Sequence, residues 1–373
     1  MRLLHTSDWH LGISLYHLPL LDEQRRMVDQ LLQTVREQQV DAVLLAGDVF
    51  DHAVSSPEAI RLYNDAMTGL CRDLGVPVLL IPGNHDGAAR LAACSALLES
   101  AGLYIAQGLE YALRPVLLGD CAFFLLPYFN AEQVRAMFPG ENIKSYADAA
   151  AVLTGRMREH FVPGKKHILL AHCFAAGAQL SESDRAAQVG GSSQIALDTF
   201  DGFDYVALGH LHRAQDMGPG VRYSGSPLCY AFSEAGQEKS FTLLDTETMG
   251  YTVLPVKTGR RMRVLSGDFE ALLAQAPQDP APEDYLQVVL EDCPAGMEKL
   301  EMLRAFYPHL LLLRGREPAG GQESALTADA ISQLSPEQLL RQFCVEIRGE
   351  GPDEQELRWF LEAGALQEGE GMQ

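Results

Sequence analysis

The sequence predicts an α/β fold, on two observations. Five short apolar runs, at residues 2–5, 42–46, 76–81, 168–171 and 205–208, each end in a cluster of polar residues. Runs of this kind read as buried strands, and ligands in open α/β sheets gather beyond the carboxyl ends of the strands. Between the first three runs lie segments of helical periodicity, 23–39, 56–74 and 88–100, which supply the crossovers that parallel strands require.

Each element has a local reason. The first crossover sets Met27, Leu31, Leu32 and Val35 on one helical face. The second opens on Ser56-Pro57, an N-cap followed by a residue suited to the first turn, and the third ends at Gly102. Further strands are predicted at 111–117, 122–126, 241–245 and 251–256. From residue 259 the character changes: segments 261–265, 269–274, 285–290, 298–306 and 310–314 alternate as a small β-α-β-α-β unit around a Pro-rich stretch at 278–283. A Pro/Gly-rich break at 318–323 precedes two predicted amphipathic helices, 335–347 and 353–363. The division is therefore 1–258, 259–317 and 318–373.

The polar clusters carry the chemistry. In order they are Asp8-Trp9-His10, Gly47-Asp48, Gly83-Asn84-His85-Asp86, His172 and Gly209-His210-Leu211-His212. Two divalent ions about 3.5–4 Å apart clamp the attacking and leaving oxygens of a phosphoryl displacement. One ligand must then touch both ions, and the Asp48 carboxylate, with two oxygens, is the candidate bridge. The i, i+2 spacing of Asp8/His10 and His210/His212 turns both members of a pair to one face of an extended segment. Asn84 offers a neutral amide oxygen and His172 an imidazole. Oxygen and imidazole ligands without thiolate suit Mn²⁺, Fe²⁺ or Zn²⁺ better than Ca²⁺ or a structural zinc. His85, diverging from Asn84 on an extended backbone, is expected to face the substrate phosphate and to act as an acid, since a histidine near pKa ~6.5 can donate to a leaving alkoxide at neutral pH. Asp86 is expected to orient or charge its ring. His5, His17, His160, His167 and His309 match no motif and read as surface or core histidines.

The motifs resemble those of the calcineurin-like metallophosphoesterases. Asp8-Trp9-His10-Leu11-Gly12, Ala46-Gly47-Asp48-Val49-Phe50-Asp51, Pro82-Gly83-Asn84-His85-Asp86 and Gly209-His210-Leu211-His212 followed by Tyr223-Ser224-Gly225-Ser226-Pro227 resemble its double-strand-break repair nuclease branch, over nearly the whole chain. The resemblance implies a four-layer α/β/β/α sandwich, a capping domain in 259–317 and ATPase-binding helices at the C-terminus. It also implies an Mn²⁺-dependent nuclease acting on DNA ends and hairpins, working as a homodimer with an ATPase partner in a heterotetramer or larger assembly. One ion would take Asp8, His10, Asp48 and His212, the other Asp48, Asn84, His172 and His210, with His85 as the catalytic histidine. One position departs: relatives carry a histidine three residues after the bridging aspartate, where this chain has Asp51, with His52 next.

Composition bounds the reading. The chain has 373 residues, 47% of them hydrophobic, enough for a substantial core. Seven scattered cysteines form no C-x-x-C pair, as expected of reduced thiols in a cytoplasm. Asp8 interrupts the only N-terminal apolar stretch, and nowhere do eighteen apolar residues run together, so neither export nor a membrane span is expected. The net charge of −21 weighs against a nucleic-acid enzyme, but residues 259–373 hold 21 acidic against 10 basic side chains, and bound ions would make the site locally positive. With no basic stripe, DNA affinity is expected to draw on a partner. The competing reading is a metallophosphatase on small phosphoesters or phosphoproteins, which needs the same ligands but not the C-terminal 115 residues. No G-x-x-x-x-G-K-[ST] segment is present, so any ATP dependence must come from another subunit.

Overall fold

The computed structural model describes residues 1–181, 194–257 and 259–316, and scattered positions between 337 and 360. In chain order the elements that frame the fold are β1 (Arg2–Thr6), the hairpin strands β2 (Ser14–Leu15) and β3 (Leu18–Pro19), α1 (Leu21–Glu37), β4 (Ala42–Ala46), α2 (Pro57–Met67), β5 (Val78–Ile81), α3 (Ala88–Leu91), α4 (Ser95–Leu98) and β6 (Leu103–Ile105). Next come α5 (Leu109–Ala112), β7 (Val116–Leu118), β8 (Cys121–Leu126), α6 (Ala131–Met137), α7 (Tyr146–Arg158), β9 (Lys166–His172), β10 (Phe174–Ala175), β11 (Gln194–Ile195) and β12 (Tyr205–Gly209). The chain continues through β13 (Gln215–Gly218), β14 (Val221–Tyr223), β15 (Ser240–Asp245), β16 (Gly250–Pro255), β17 (Met262–Gly267), α8 (Phe269–Gln275), β18 (Tyr285–Leu290), α9 (Met297–Arg304) and β19 (Leu310–Arg314).

Two six-stranded sheets form the centre, ordered β16-β15-β1-β4-β5-β6 and β13-β14-β12-β9-β8-β7. Strands β1, β4, β5 and β6 run parallel, as do β8, β9, β12 and β14, and antiparallel pairings occur at the edges. Alternation along each strand divides the core. Leu3, Leu44, Ala46, Leu79 and Ile81 face Phe123, Leu125, Ile168, Leu170 and Ala207 between the sheets. Their neighbours Leu4, Val43, Leu45 and Leu80 pack outward with Met27, Leu31 and Val35 of α1 and Leu62 of α2. On the other side Phe124, Leu169, Val206 and Leu208 meet Val134 of α6 and Leu153 and Met157 of α7. The result is a four-layer α/β/β/α sandwich, and strands buried on both faces are uniformly apolar for that reason.

The unit expected after residue 259 is a parallel sheet, β17-β18-β19, with Phe269, Leu286, Val288, Leu290, Leu303 and Tyr307 in its own small core. Contacts divide the chain into two compact units, Met1–Arg316 and Glu317–Gln373. Much of the predicted helix 335–347, including Leu339, Phe343, Val345 and Ile347, lies outside the described residues, as does Leu361, whereas 355–360 is helical, with Trp359 and Phe360 exposed.

Three sequence expectations need correction. The strand predicted at 111–117 is helix α5 followed by the short β7, because the buried positions Leu109 and Ala112 stand at i, i+3, and a short apolar run does not by itself distinguish the two periods. The helix predicted at 56–74 changes to a π-helix over Thr68–Asp73. That predicted at 88–100 is broken, because Cys94 takes a left-handed conformation (φ 60°) between α3 and α4. Helices α6 and α7 went unanticipated although both begin on capping boxes, Asn130/Gln133 and Ser145/Asp148.

Candidate metal centre

Strands β1, β4, β5, β9 and β12 end on one side of the sandwich, so the loops after them meet. The left-handed backbone at Asp8 (φ 53°), His10 (φ 44°) and Asp48 (φ 49°) is uncommon for residues with a Cβ, and the surroundings hold it. Asp8 N–H donates to Gly47 O and His10 N–H to Asp48 O. Gln24 of α1 donates to the carbonyls of Trp9 and His10 and accepts from Gly12 N–H. Gly47 and Gly83 admit no side chain: a Cβ on the first would strike the His172 ring, and on the second the Asp48 carboxylate.

All seven candidate ligands converge. Asp48 Oδ2 lies 3.2 Å from His172 Nε2 and 3.8 Å from His10 Nε2, between the two sets of donors. Asn84 Oδ1 is 3.0 Å from both His172 Nε2 and His210 Nδ1. Asp8 accepts from His210 N–H and offers an oxygen to ligand groups with both His10/His212 and Asp48/His172. His10 Nε2 and His212 Nε2 face each other at 3.2 Å.

That last distance tests whether cations fit. Nδ1 of His212 is 3.0 Å from a Glu234 oxygen and Nδ1 of His10 is 3.5 Å from an Asp51 oxygen. The Glu234 carboxylate places the His212 proton on Nδ1 and leaves its Nε2 lone pair facing His10, whose buried Nδ1 makes no hydrogen bond among the described residues; a cation between the two Nε2 atoms would satisfy this arrangement. His172 Nδ1–H donates to Ala46 O at 2.9 Å, and its Nε2 points at the oxygens of Asp48 and Asn84, where a proton or a cation is favoured. The electrostatics agree. Burial raises the Asp8 pKa, with Asp48 adding to the rise. Burial opposes ionisation of Asp48 as well, but His172 and its neighbours hold that carboxyl below the ordinary range. Against burial, Asp48 lifts His172 to about 9, whereas burial and the His172 charge push His210 down to about 3. The cluster draws positive charge to its centre, and its oxygen and imidazole donors suit Mn²⁺, Fe²⁺ or Zn²⁺. All seven cysteines are free, and none belongs to the cluster.

His85 lies beside the candidate ligands, its ring centroid 4.9 Å from that of His10, and forms a candidate ligand group with His10 and Asp51. Its ring Nδ1 is 2.9 Å from Asp51 O and its N–H donates to Asp48 Oδ1 at 2.9 Å, so Nδ1–H is fixed and Nε2 is left for substrate. Asp86 does not orient that ring, contrary to expectation. Its carboxylate accepts from Gly83, Val49 and Phe50 N–H groups and locks the 83–86 loop to the one after β4.

Sequence reasoning missed three contributors. Glu234, fully buried, reaches His212 from a short turn that carries no periodic signal, and it is balanced by Lys239 Nζ at 2.6 Å. Tyr230 stacks edge-on against both His10 and His212 and donates to Trp9 O. Asp51, noticed only as a departure, supports His10 with its side chain and His85 with its carbonyl. His52 is exposed and meets Asp51 Oδ2 at 3.1 Å.

The fold and the converging donors define a metallophosphoesterase. Residues 1–214 match the calcineurin-like phosphoesterase family, and residues 258–347 match the family described as type 5 capsule protein repressor C-terminal domain. The chain is 32% identical over 317 residues to the SbcD component of the SbcCD nuclease of Staphylococcus epidermidis, covering 84% of this chain and 85% of that one. A crystal structure of TT1561 of Thermus thermophilus aligns at 13% identity, with a TM-score of 0.40 over 69% of this chain and 99% of that one. The chain belongs to the calcineurin-like phosphoesterase family, in the group of the SbcD nucleases.

Proposed function

We propose that this chain is the metal-dependent DNA nuclease component of an SbcCD-type complex, a double-strand exonuclease and single-strand endonuclease that processes DNA ends and hairpins in repair and recombination. The observation that carries the reading is the convergence of Asp8, His10, Asp48, Asn84, His172, His210 and His212 beside His85. Asp8, His10, Asp48 and His212 hold one Mn²⁺, and Asp48, Asn84, His172 and His210 hold the other. Bound ions supply Lewis-acid charge that polarises the phosphodiester. His85 acts as an imidazolium: with Nδ1–H on the Asp51 carbonyl it presents Nε2–H to the leaving oxygen, gives that proton up and is left as the neutral ring.

Residues 259–317 act as the capping domain and 318–373 as the segment that docks on an SbcC-like ATPase. The protein works in the cytoplasm; no helix among the described residues is long and apolar enough to cross a membrane. A homodimer forms through the helices after the Asp48 and His85 loops, where Ile60 and Leu97 are exposed beside a cleft of about 510 Å³ lined by Tyr63, Met67 and Leu98. Leu103 also lines that cleft but is buried in β6, so the exposed contact falls to Ile60 and Leu97.

The deciding experiment incubates the full chain and Mn²⁺ with labelled DNA and, separately, with p-nitrophenyl phosphate esters. Cleavage of DNA supports the reading. Turnover of the small esters with DNA left intact would make it a small-molecule phosphatase.

A further inference from the structure

Three tyrosines are exposed among the described residues: Tyr16 (48%), Tyr128 (44%) and Tyr251 (41%). Tyr251 is occupied, its ring under the Arg222 guanidinium at 4.3 Å and its hydroxyl donating to Asp216. Of the other two, Tyr128 stands beside the candidate metal centre, and Tyr16 packs on the turn that carries Glu234. Tyr128 follows β8, and its ring lies edge-on to His172 with centroids 6.3 Å apart. Its mount is rigid: Tyr128 N–H donates to Pro82 O, next to the Gly83-Asn84-His85 turn, and the following Phe129 is buried and stacked on Tyr146. Tyr16 sits on the turn between β2 and β3, immediately after the Asp8-to-Gly12 loop. Its ring meets Phe232 at 5.7 Å, two residues before the Glu234 that holds His212.

The Tyr16 turn is also conformationally unusual. Tyr16 (φ 48°) and His17 (φ 69°) are both left-handed, a tight-turn geometry in which Asn-Gly is the favoured pair. A bulky aromatic held in that conformation and exposed at the rim of a site is the kind of outlier from which function can be inferred.

We propose that Tyr16 and Tyr128 are two stacking platforms, one toward the His10/His212 end and one toward the His172/His210 end, that hold the nucleobases on either side of the scissile phosphate of a single strand. The inference rests on the nuclease reading and adds to it the way in which the strand is gripped. The physical argument is that a chain of net charge −21 has few cations to bind phosphates. Aromatic stacking instead gives affinity without charge and without sequence preference, because every base offers a π-face.

The test uses the full chain, Mn²⁺ and a single-stranded oligonucleotide, either fully based or abasic at the nucleotides flanking one cleavage position. Tyr16→Ala and Tyr128→Ala should each lower kcat/KM on the based strand by roughly 5- to 150-fold, mainly through KM. Tyr16→Phe and Tyr128→Phe should restore it. On the strand abasic at both flanking nucleotides the wild type and both alanine variants should fall to one common level, below that of either variant on the based strand. In EDTA, quenching of 2-aminopurine placed at the same positions should weaken in each alanine variant. Equal losses on based and abasic strands, or unchanged quenching, would overturn the platforms while leaving the nuclease reading intact. A wild type that turns over p-nitrophenyl esters and leaves DNA uncut would overturn both.

Discussion

Glu234 and His212 form a carboxylate–imidazole pair at 3.0 Å, and the second carboxylate oxygen of Glu234 is taken by Lys239 Nζ at 2.6 Å. The pair fixes which His212 nitrogen faces the proposed ions. Burial opposes it, yet the bonds to His212 and Lys239 hold the Glu234 carboxyl down at about 2. Glu234→Ala should weaken metal binding by about 10–100-fold, the usual cost of losing such an orienting group. It should also cost roughly 3–5 kcal/mol of stability by stranding Lys239. Titration calorimetry with Mn²⁺ and denaturant unfolding read the two effects, and Glu234→Ala/Lys239→Met should recover stability without recovering metal affinity.

Asp48→Ala should abolish activity and remove one or both ions. Asp48 Oδ2 lies between His10 and His172, and the other carboxylate among the candidate ligands, Asp8, already accepts from His210 N–H through both oxygens. Elemental analysis showing two ions per chain in this variant, with full turnover, would refute the bridging role.

His85→Ala should keep both ions and bind DNA normally while losing about 10²–10⁴-fold in turnover, the usual contribution of a general acid. The His85 ring hydrogen-bonds the Asp51 carbonyl. Loss of an ion in the variant would instead make His85 a ligand.

His5 gives a pH dependence of stability unrelated to catalysis. Its ring is fully buried, 3.0 Å from the Tyr205 hydroxyl and 3.2 Å from Leu208 O. Burial, reinforced by Arg222, lowers its pKa to about 3 from an ordinary 6.5. Above pH 6.5 the ring is neutral in folded and unfolded chains alike, so nothing is lost. As pH falls from 6.5 toward 3 the unfolded chain takes up a proton that the fold refuses, and stability drops by several kcal/mol. Denaturant unfolding between pH 7.5 and 4 should show a shallower decline in His5→Gln than in the wild type.

Truncation after Pro318 should leave Mn²⁺-dependent cleavage of single-stranded DNA intact. It should remove ATP-stimulated duplex cleavage when the chain is reconstituted with an SbcC-like ATPase. Co-purification of the truncated chain with the ATPase, with an undiminished ATP response, would place the docking element elsewhere.

The sequence by itself determined the class of fold and singled out the candidate donors that the structure brings together. Each ligand sits at the end of an apolar run or in a glycine-flanked turn, and both signals are local. Apolar strands also announce burial on two faces, while the two packed sheets are implied by the family resemblance. Only the tertiary structure decided how the donors are held. Glu234 and Lys239 approach His212 from a separate turn, Asp86 ties two loops together where the sequence suggested service to His85, and Asp51 serves His10 and His85 at once. Tyr128 reaches the His172 ring from a loop that carries no pattern. The reason is physical: periodicity and turn chemistry record what a residue does for its own segment, whereas the proton position on a buried imidazole is set by whichever acceptor another segment brings within about 3 Å.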